Sequence, residues 1–511
     1  MEAGIITFGH ANSHGKNQVK NELGQGPHIV RQCCLEAGIS VHNLHERWHR
    51  CDVVMVGLYW WEHLYDLVLW LAAHGIEPDR EKRRKAGGPL VFIGGQLPSY
   101  NPSTVAAIAD LVCIGDGESA APAVLSLIRA GAPPSEWASV PGIYVSELDN
   151  CAEWQHVDDV SGTIRWPFYN STLVEHDSGV HQKLVFERRI EIARGCRHKC
   201  AYCGVGWTKR YREVSTAEIC GAVASTPGMI KAFAPDPLAH SGWDEIDATF
   251  VEYDKSNQAR DISAHTILTK GFGRSRIYTT GIDGLSERLR RAVNKRLSQD
   301  ELVEVLERTS GHGGQLMIYM ILDLPGETEA DYREWFASLS RVQVRTRPPS
   351  GRFASGDERD FYVAMTLTAF NPTPHTPLQW EGIDIHKQCY DWYRQALDVG
   401  LVDKSQRRLK HKILGRPHGG AARLLEAAAL RGDRELGRFV LRVAAVRHRF
   451  KTSSQVLTAA DRLGVGEALH NTVRRHSLDE TLPWERRVRP LFGRDTLQRA
   501  ALKFRNIVGQ L

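Results

Sequence analysis

The chain has 511 residues, more than one ordinary core accommodates, so two or three domains are expected. Its hydrophobic share of 42% and charged share of 24% are ordinary for a globular protein, and no apolar run is long enough to span a bilayer, which excludes a transmembrane class. The net charge of +5 hides an asymmetry: residues 401–511 hold 24 Lys+Arg against 10 Asp+Glu, whereas the first 400 hold 41 against 50, so either an anionic partner meets the basic end or that end is a solvated helical face.

The N-terminal MEAGIITFGH lacks the basic region, apolar stretch and cleavage site of a signal peptide, so a cytoplasmic location and no membrane partner are expected. Strands are predicted at GIITFG (4–9), DVVMVGLYW (52–60), PLVFIGG (89–95) and DLVCIGDGE (110–118), separated by helical stretches. Such alternation argues for an open parallel sheet, in which ligands bind beyond the carboxyl ends of the strands. That rule places His10–Lys16, Tyr59–Glu62, Gly94–Gln96 and Gly115–Glu118 on one rim. REKRRKAGG (80–88) reads as a basic loop, and 136–185 as a connector with short strands. Alternation resumes with strands at RRIEIARG, DATFVEYD (247–254), SRIYTTGID (275–283), GQLMIYMILDLPG (314–326) and DFYVAMTLTAF (360–370), a succession that predicts a complete or partial parallel barrel. Residues 385–511 read as mostly helical. The predicted divisions are 1–135, 136–185, 186–384 and 385–511.

Ten cysteines are present, and three fall within the eight residues of CRHKCAYC (196–203). A cytosolic chain of this size needs no disulfide framework, so a tight group reads as a metal or redox site. The spacing C-x3-C-x2-C sets Cys196, Cys200 and Cys203 on one loop, with Tyr202 before the last. Thiolates suit iron–sulfur clusters, and three of them can each bind one iron of a [4Fe-4S] cubane, leaving the fourth iron open. The alternatives are a zinc site, with His198 as a fourth ligand, or three unrelated thiols.

The motif, its place after RRIEIARG and the strands that follow resemble the radical S-adenosylmethionine (SAM) superfamily, and among its members those with an N-terminal cobalamin-binding-type domain. MIYMILDLPGETEADY (317–332), AFNPTPHTPLQWEG (369–382), LRGDRELGRFV and LPWERRVRP resemble later segments of that subclass, in the same order. The resemblance implies an α/β chain with an N-terminal Rossmann-like parallel sheet, a partial (β/α)6-type barrel and a C-terminal helical domain. It implies that SAM chelates the open iron and is cleaved to a 5′-deoxyadenosyl radical, with flavodoxin or ferredoxin as electron donor. Within GIDGLSERLRRAVNKRLSQDELVEVLE (281–307), Asp283 and Ser286 match the SAM-binding acid and serine, although the family's Glu and Gly–Ser pair are replaced here. The Gly-Gly-Glu signature for the methionine amino group is absent, and Glu252 or Asp254 at the end of the preceding strand takes that role; Tyr202 completes the cofactor set.

For the N-terminal domain the resemblance points to cobalamin, with Gly94 and Gly95 letting backbone approach a flat cofactor tail. The family's cobalt-ligating Asp-x-His-x-x-Gly is missing; His10 and His14 stand in GHANSHGKN outside that pattern. Cobalamin therefore binds without a histidine ligand, or the domain has lost it and serves as scaffold. Tyr59, Trp60 and Trp61 face a ligand or the core. Three functions compete: radical chemistry or methyl transfer on a small metabolite or natural-product intermediate; modification or rearrangement of a nucleic-acid base, aided by Arg407, Arg408, Lys410, Arg447, Arg449, Lys451, Arg486, Arg487 and Arg489; and a non-catalytic metal-containing protein that binds nucleic acid.

Overall fold

The structure is a computed structural model that describes residues 1–8, 23–46, 50–175, 182–253, 263–270, 277–311, 315–344, 361–385, 393, 409–415 and 418–509. His10, His14, Asp254, Arg407 and Arg408 lie outside them.

The first sheet contains β1 (Ala3–Thr7), β2 (Val41–Asn43), β3 (Val53–Gly57), β4 (Leu90–Gly94), β5 (Leu111–Cys113) and β6 (Ile143–Val145), in the order β2-β1-β3-β4-β5-β6. The first five are parallel, and β6 runs antiparallel to β5. Every residue of β1 and β3 is buried, the continuous apolar run that a sheet covered on both faces requires. Helices Gln25–Glu36 and Gly117–Arg129 cover one face. The other face packs on helix Trp61–Ala73 and on Gly420–Arg431 and Arg434–Val443 from the far end of the chain, all in one apolar core. The C-terminal helices are thus a layer of the N-terminal unit. The order reverses between β1 and β3, and that switch opens a crevice at the carboxyl edge.

The second unit follows β7 (Ala152–Glu153) and holds β8 (Phe168–Glu175), β9 (Gln182–Glu191), the short pair β10 (Ala193–Arg194) and β11 (Arg212–Glu213), β12 (Met229–Phe233), β13 (Ile277–Gly281), β14 (Gln315–Leu322), β15 (Phe361–Ala369) and β16 (Leu409–Gly415). A last strand, β17 (Val488–Arg489), pairs with β7. Six strands form two parallel arcs, β9-β12 and β13-β14-β15-β16; among the described residues no ladder joins the arcs, so the barrel is partial.

Three expectations change. DATFVEYD is not a strand: Trp243–Glu252 is a helix, because Trp243, Ile246 and Phe250 recur at helical spacing and are buried together. The basic segment at 80–88 is not a loop: Arg80–Lys85 is helical, with the Asp79 side chain accepting from the Lys82 N–H at its start. The barrel does not end at 384: although the region after 385 is mostly helical as expected, β16 pairs with β15 and extends the barrel.

The basic end meets the acidic body directly. Arg447 bonds Asp66 at 2.5 Å, Arg487 bonds Asp149 at 2.6 Å, Arg438 approaches Glu81 at 3.3 Å, and Arg489 pairs with Glu153. Part of the charge asymmetry is therefore complementarity between two regions of one chain.

On the helix Arg80–Lys85 beside the first sheet, Arg83 is 1% exposed. Its guanidinium bonds Asp110 at 3.0 Å and donates to the carbonyls of Glu77, Pro78, Pro89 and Ile108. Arg83→Met leaves the buried Asp110 with only the more distant, half-exposed Arg84 at 3.8 Å, so a loss of about 3 kcal/mol is expected. Urea unfolding of the two proteins checks this; an unchanged midpoint would show the pair to be dispensable.

Candidate functional site: the cysteine loop and the crevice beside it

The cysteine loop leaves β10 at Gly195. Bonds between its backbone and later residues fix it: Ala201 N–H donates to Val293 O at 3.0 Å, and the side chains of Asn294 and Trp207 donate through Nδ2 to Lys199 O at 3.0 Å and through Nε1 to Cys200 O at 2.9 Å. Burial pushes the Cys196 thiol up to about 11 and Cys200 up to about 12, and raises Cys203 as well. Neutral-pH thiols here are protonated until a metal displaces the protons. The three sulfurs feel one another electrostatically.

The donors around them fit a cluster. The backbone N–H groups of Val205 and Gly206 work against that rise at Cys203, and the His198 N–H does so at Cys196. Amide hydrogen bonds to sulfur are one of the levers that set a cluster's potential. Among the described residues, no group of three or more His, Cys, Asp and Glu side chains is gathered as around one ion. A mononuclear zinc site needs that convergence, whereas a cubane spreads its thiolates over separate irons. His198 turns instead to Asp236, with Nε2 2.9 Å from Oδ2.

Asp283 sits two residues beyond β13 with φ of 52°, in the left-handed region. Its Oδ2 accepts from the Tyr202 hydroxyl at 2.5 Å and lies 2.5 Å from Lys295 Nζ. Lys295 also donates to Gly281 O. Burial works against the Lys295 charge, but Asp283 more than offsets it and raises its pKa; burial and Asp283 together raise that of Tyr202. The group adjoins Cys200 and Cys203, whose thiols feel both charges.

Ser286 is fully buried. Its hydroxyl caps helix Glu287–Ala292, accepting from Leu289 N–H at 3.3 Å, and donates to Asp331. That oxygen is committed to the fold. Glu252 ends an exposed helix turn rather than a strand. The carboxylate at the end of the second barrel strand is Asp236, three residues past β12. It is buried, its Oδ2 accepts from Thr266 at 2.9 Å, and its Oδ1 has no partner among the described residues. The available signal was the short apolar run MIKAFAP ending in an aspartate.

A crevice of about 420 Å³ opens at the carboxyl edge of the first sheet. Tyr59, Gly94, Gly95, Gln96, Gly115 and Glu118 line it, so segments of the predicted rim do converge. The opposite wall comes from the barrel: Glu191, Arg194, Lys209 and Phe233. Trp61 instead fills the core, and Trp60 is exposed. Arg194 ties the walls together, reaching Glu118 at 2.7 Å, Glu191 at 2.8 Å and Asp116 at 3.1 Å. Arg212 adds a bond to Asp116 at 2.7 Å. Sequence reasoning missed this network, because its members come from three separate segments.

The two glycines at the end of β4, Gly94 within it and Gly95 just after, differ. Gly95 has φ of 106°, and a Cβ there would fall 2.3 Å from Leu58 O, so it is required by the turn. A Cβ on Gly94 would meet only Cys113 at 3.7 Å, so this position has room and leaves backbone bare in the crevice.

A loop of three thiols set beside a partial barrel has the chemistry that suits an iron–sulfur cluster. The family profile described as the radical SAM superfamily matches residues 190–339, and that described as the N-terminal part of radical SAM proteins matches 36–145. The chain belongs to the radical SAM superfamily, whose cofactors are a [4Fe-4S] cluster and SAM, and it is an enzyme. This corrects the non-catalytic alternative. No curated protein matches.

Similar solved structures include the apo form of OxsB, titled a cobalamin-dependent SAM radical enzyme, at 10% identity and TM-score 0.45, covering 70% of this chain and 54% of that one. OxsB with aqua-cobalamin and SAM bound is similar at 9% identity and TM-score 0.44, over 100% of this chain and 79% of that one. TsrM from Kitasatospora setae, titled a radical SAM methyltransferase, is similar at 11% identity and TM-score 0.43, over 71% and 72%. The chain spans about half the length of the first of these. No helix among the described residues is long and apolar enough to cross a membrane.

Proposed function

We propose that the chain binds cobalamin in the crevice and performs radical SAM chemistry, by methyl transfer or hydrogen abstraction, on a small metabolite or natural-product intermediate. The observation that carries this reading is the crevice itself: one wall is the carboxyl edge of the parallel sheet, the other is the start of the barrel next to the cysteine loop. When bound, the reduced cluster with SAM supplies a carbon radical, and cobalamin supplies a methyl carrier.

The chain's own residues position these groups. Cys196, Cys200 and Cys203 hold three irons and leave one open. Asp283, held in place by Lys295 and Tyr202, accepts hydrogen bonds from the SAM amine or a ribose hydroxyl. Asp236 offers a second carboxylate at the neighbouring strand end, in place of Glu252 and Asp254. Gly94 lets a flat ligand lie against backbone. The Arg194 network fixes the wall between crevice and loop, and burial limits water. An electron donor of the flavodoxin or ferredoxin kind delivers the reducing electron.

Anaerobic reconstitution with iron and sulfide, followed by titration with hydroxocobalamin, tests the reading. The wild type is expected to retain the corrinoid through gel filtration. Gly94→Leu places a side chain in the crevice without a backbone clash, and retention is expected to fall at least tenfold while cluster content stays the same. A wild type that loads a cluster but retains no corrinoid would leave the N-terminal unit a scaffold. The pairing of tail arginines with body carboxylates disfavours the nucleic-acid reading, since those charges are already answered within the chain.

A further inference from the structure

The N-terminal sheet reaches the cysteine loop through one side chain. Tyr100 ends the short helix Gln96–Tyr100 that follows β4, and it is 5% exposed. Its position is over-determined. Its carbonyl accepts from His375 Nε2 at 3.0 Å, and its ring packs against Trp154 at 5.9 Å between centroids. Burial holds His375 down to about 3, so that ring is neutral and donates through Nε2.

The hydroxyl of Tyr100 lies against Gly204, the residue after Cys203. A Cβ on Gly204 would fall 2.1 Å from the hydroxyl oxygen, a close approach that only glycine permits. The same oxygen accepts from Gln96 Nε2 at 2.6 Å. With the oxygen's lone pair engaged by Gln96, the hydroxyl's own proton has no acceptor among the described residues. A buried O–H with nothing to bond is costly, and Cys203 is the residue next to the Gly204 backbone that this hydroxyl touches.

We infer that Tyr100 donates its hydroxyl hydrogen to a sulfur at the Cys203 corner of the assembled cluster, and that Gln96 aims it there. Tyr100 brings this donor from a different unit of the fold. Hydrogen bonds to sulfur favour the reduced, more negative cluster, so this bond makes the cluster easier to reduce. Gln96 also lines the crevice, which puts the crevice contents one hydrogen bond from Tyr100. Tyr100 is a positioning and tuning residue; it holds no iron.

The experiment uses anaerobically reconstituted full-length protein, with cluster content established first from iron and sulfide analysis, without cobalamin. The midpoint potential is then read by EPR-monitored titration. Tyr100→Phe keeps the ring and removes the donor, so a more negative potential is expected, with an altered EPR signal of the reduced cluster. Gln96→Leu leaves the phenol but releases its aim, and a smaller shift in the same direction is expected. An unchanged potential and signal in Tyr100→Phe overturns the inference. If Tyr100→Phe holds no cluster, Gln96→Leu decides, and a wild-type potential there overturns it equally. A wild type that loads no cluster fails the site assignment itself, a distinct result.

Discussion

Alanine at Cys200 is expected to abolish the cluster absorbance and all SAM cleavage, and alanine at Cys196 or Cys203 to do the same. On the proposed site each thiolate would hold a separate iron, so no neighbour could take over a lost position. The loop itself should survive the change, because its anchors are backbone atoms: Trp207 bonds the Cys200 carbonyl, and Ala201 bonds Val293. Thermal unfolding of the unloaded variants is therefore expected to match the wild type, which separates loss of a ligand from loss of fold. Iron and sulfide content together with 5′-deoxyadenosine formation are the measurements. A triple variant that still forms 5′-deoxyadenosine would remove the basis for the site.

Asp283→Ala carries the second large effect, on two quantities at once. Lys295 Nζ lies 2.5 Å from the Asp283 carboxylate in a buried setting. Deleting the carboxylate leaves a buried ammonium whose remaining partner is the Gly281 carbonyl. A loss of about 3–5 kcal/mol in stability is expected. Removing Lys295 as well, in Asp283→Ala with Lys295→Met, should recover much of that loss, because an apolar pair costs less than an orphaned charge. SAM affinity should stay low in both variants. A charge-assisted hydrogen bond contributes roughly 1.5–3 kcal/mol, which corresponds to at least tenfold weaker binding. Equilibrium binding of SAM to cluster-loaded protein, with urea unfolding in parallel, checks both. A double variant that binds SAM like the wild type would take Asp283 out of the site.

The cysteine motif was legible because its chemistry is local: three ligands within eight residues need no tertiary folding to be recognised as a group. The rim of the first sheet was legible for a more general reason. Parallel strands all end on the same edge, so Tyr59, Gly94, Gln96 and Glu118 could be placed together from strand order alone. The helix at Trp243–Glu252 was misread because its apolar positions fit a buried strand over a short window, and only burial on one stripe settles the period. Ser286 illustrates a different difficulty. A serine before a helix satisfies a capping pattern and a ligand pattern equally, and the choice depends on what stands opposite, here Asp331 forty-five residues on.

The sequence by itself determined the kind of chemistry and the order of the units, since thiol spacing and strand–helix alternation are properties of neighbouring residues. Only the tertiary structure decided which distant charges meet. It brought Lys295 and Tyr202 to Asp283, Arg194 to Asp116, Glu118 and Glu191, and the basic C-terminal arginines to acids of the body. The physical reason is that ion pairs form wherever packing of the apolar faces delivers the partners. The apolar pattern says that a face is buried, but not against what. The closure of Tyr100 on Gly204 belongs to the same class, being fixed by how the sheet docks on the barrel.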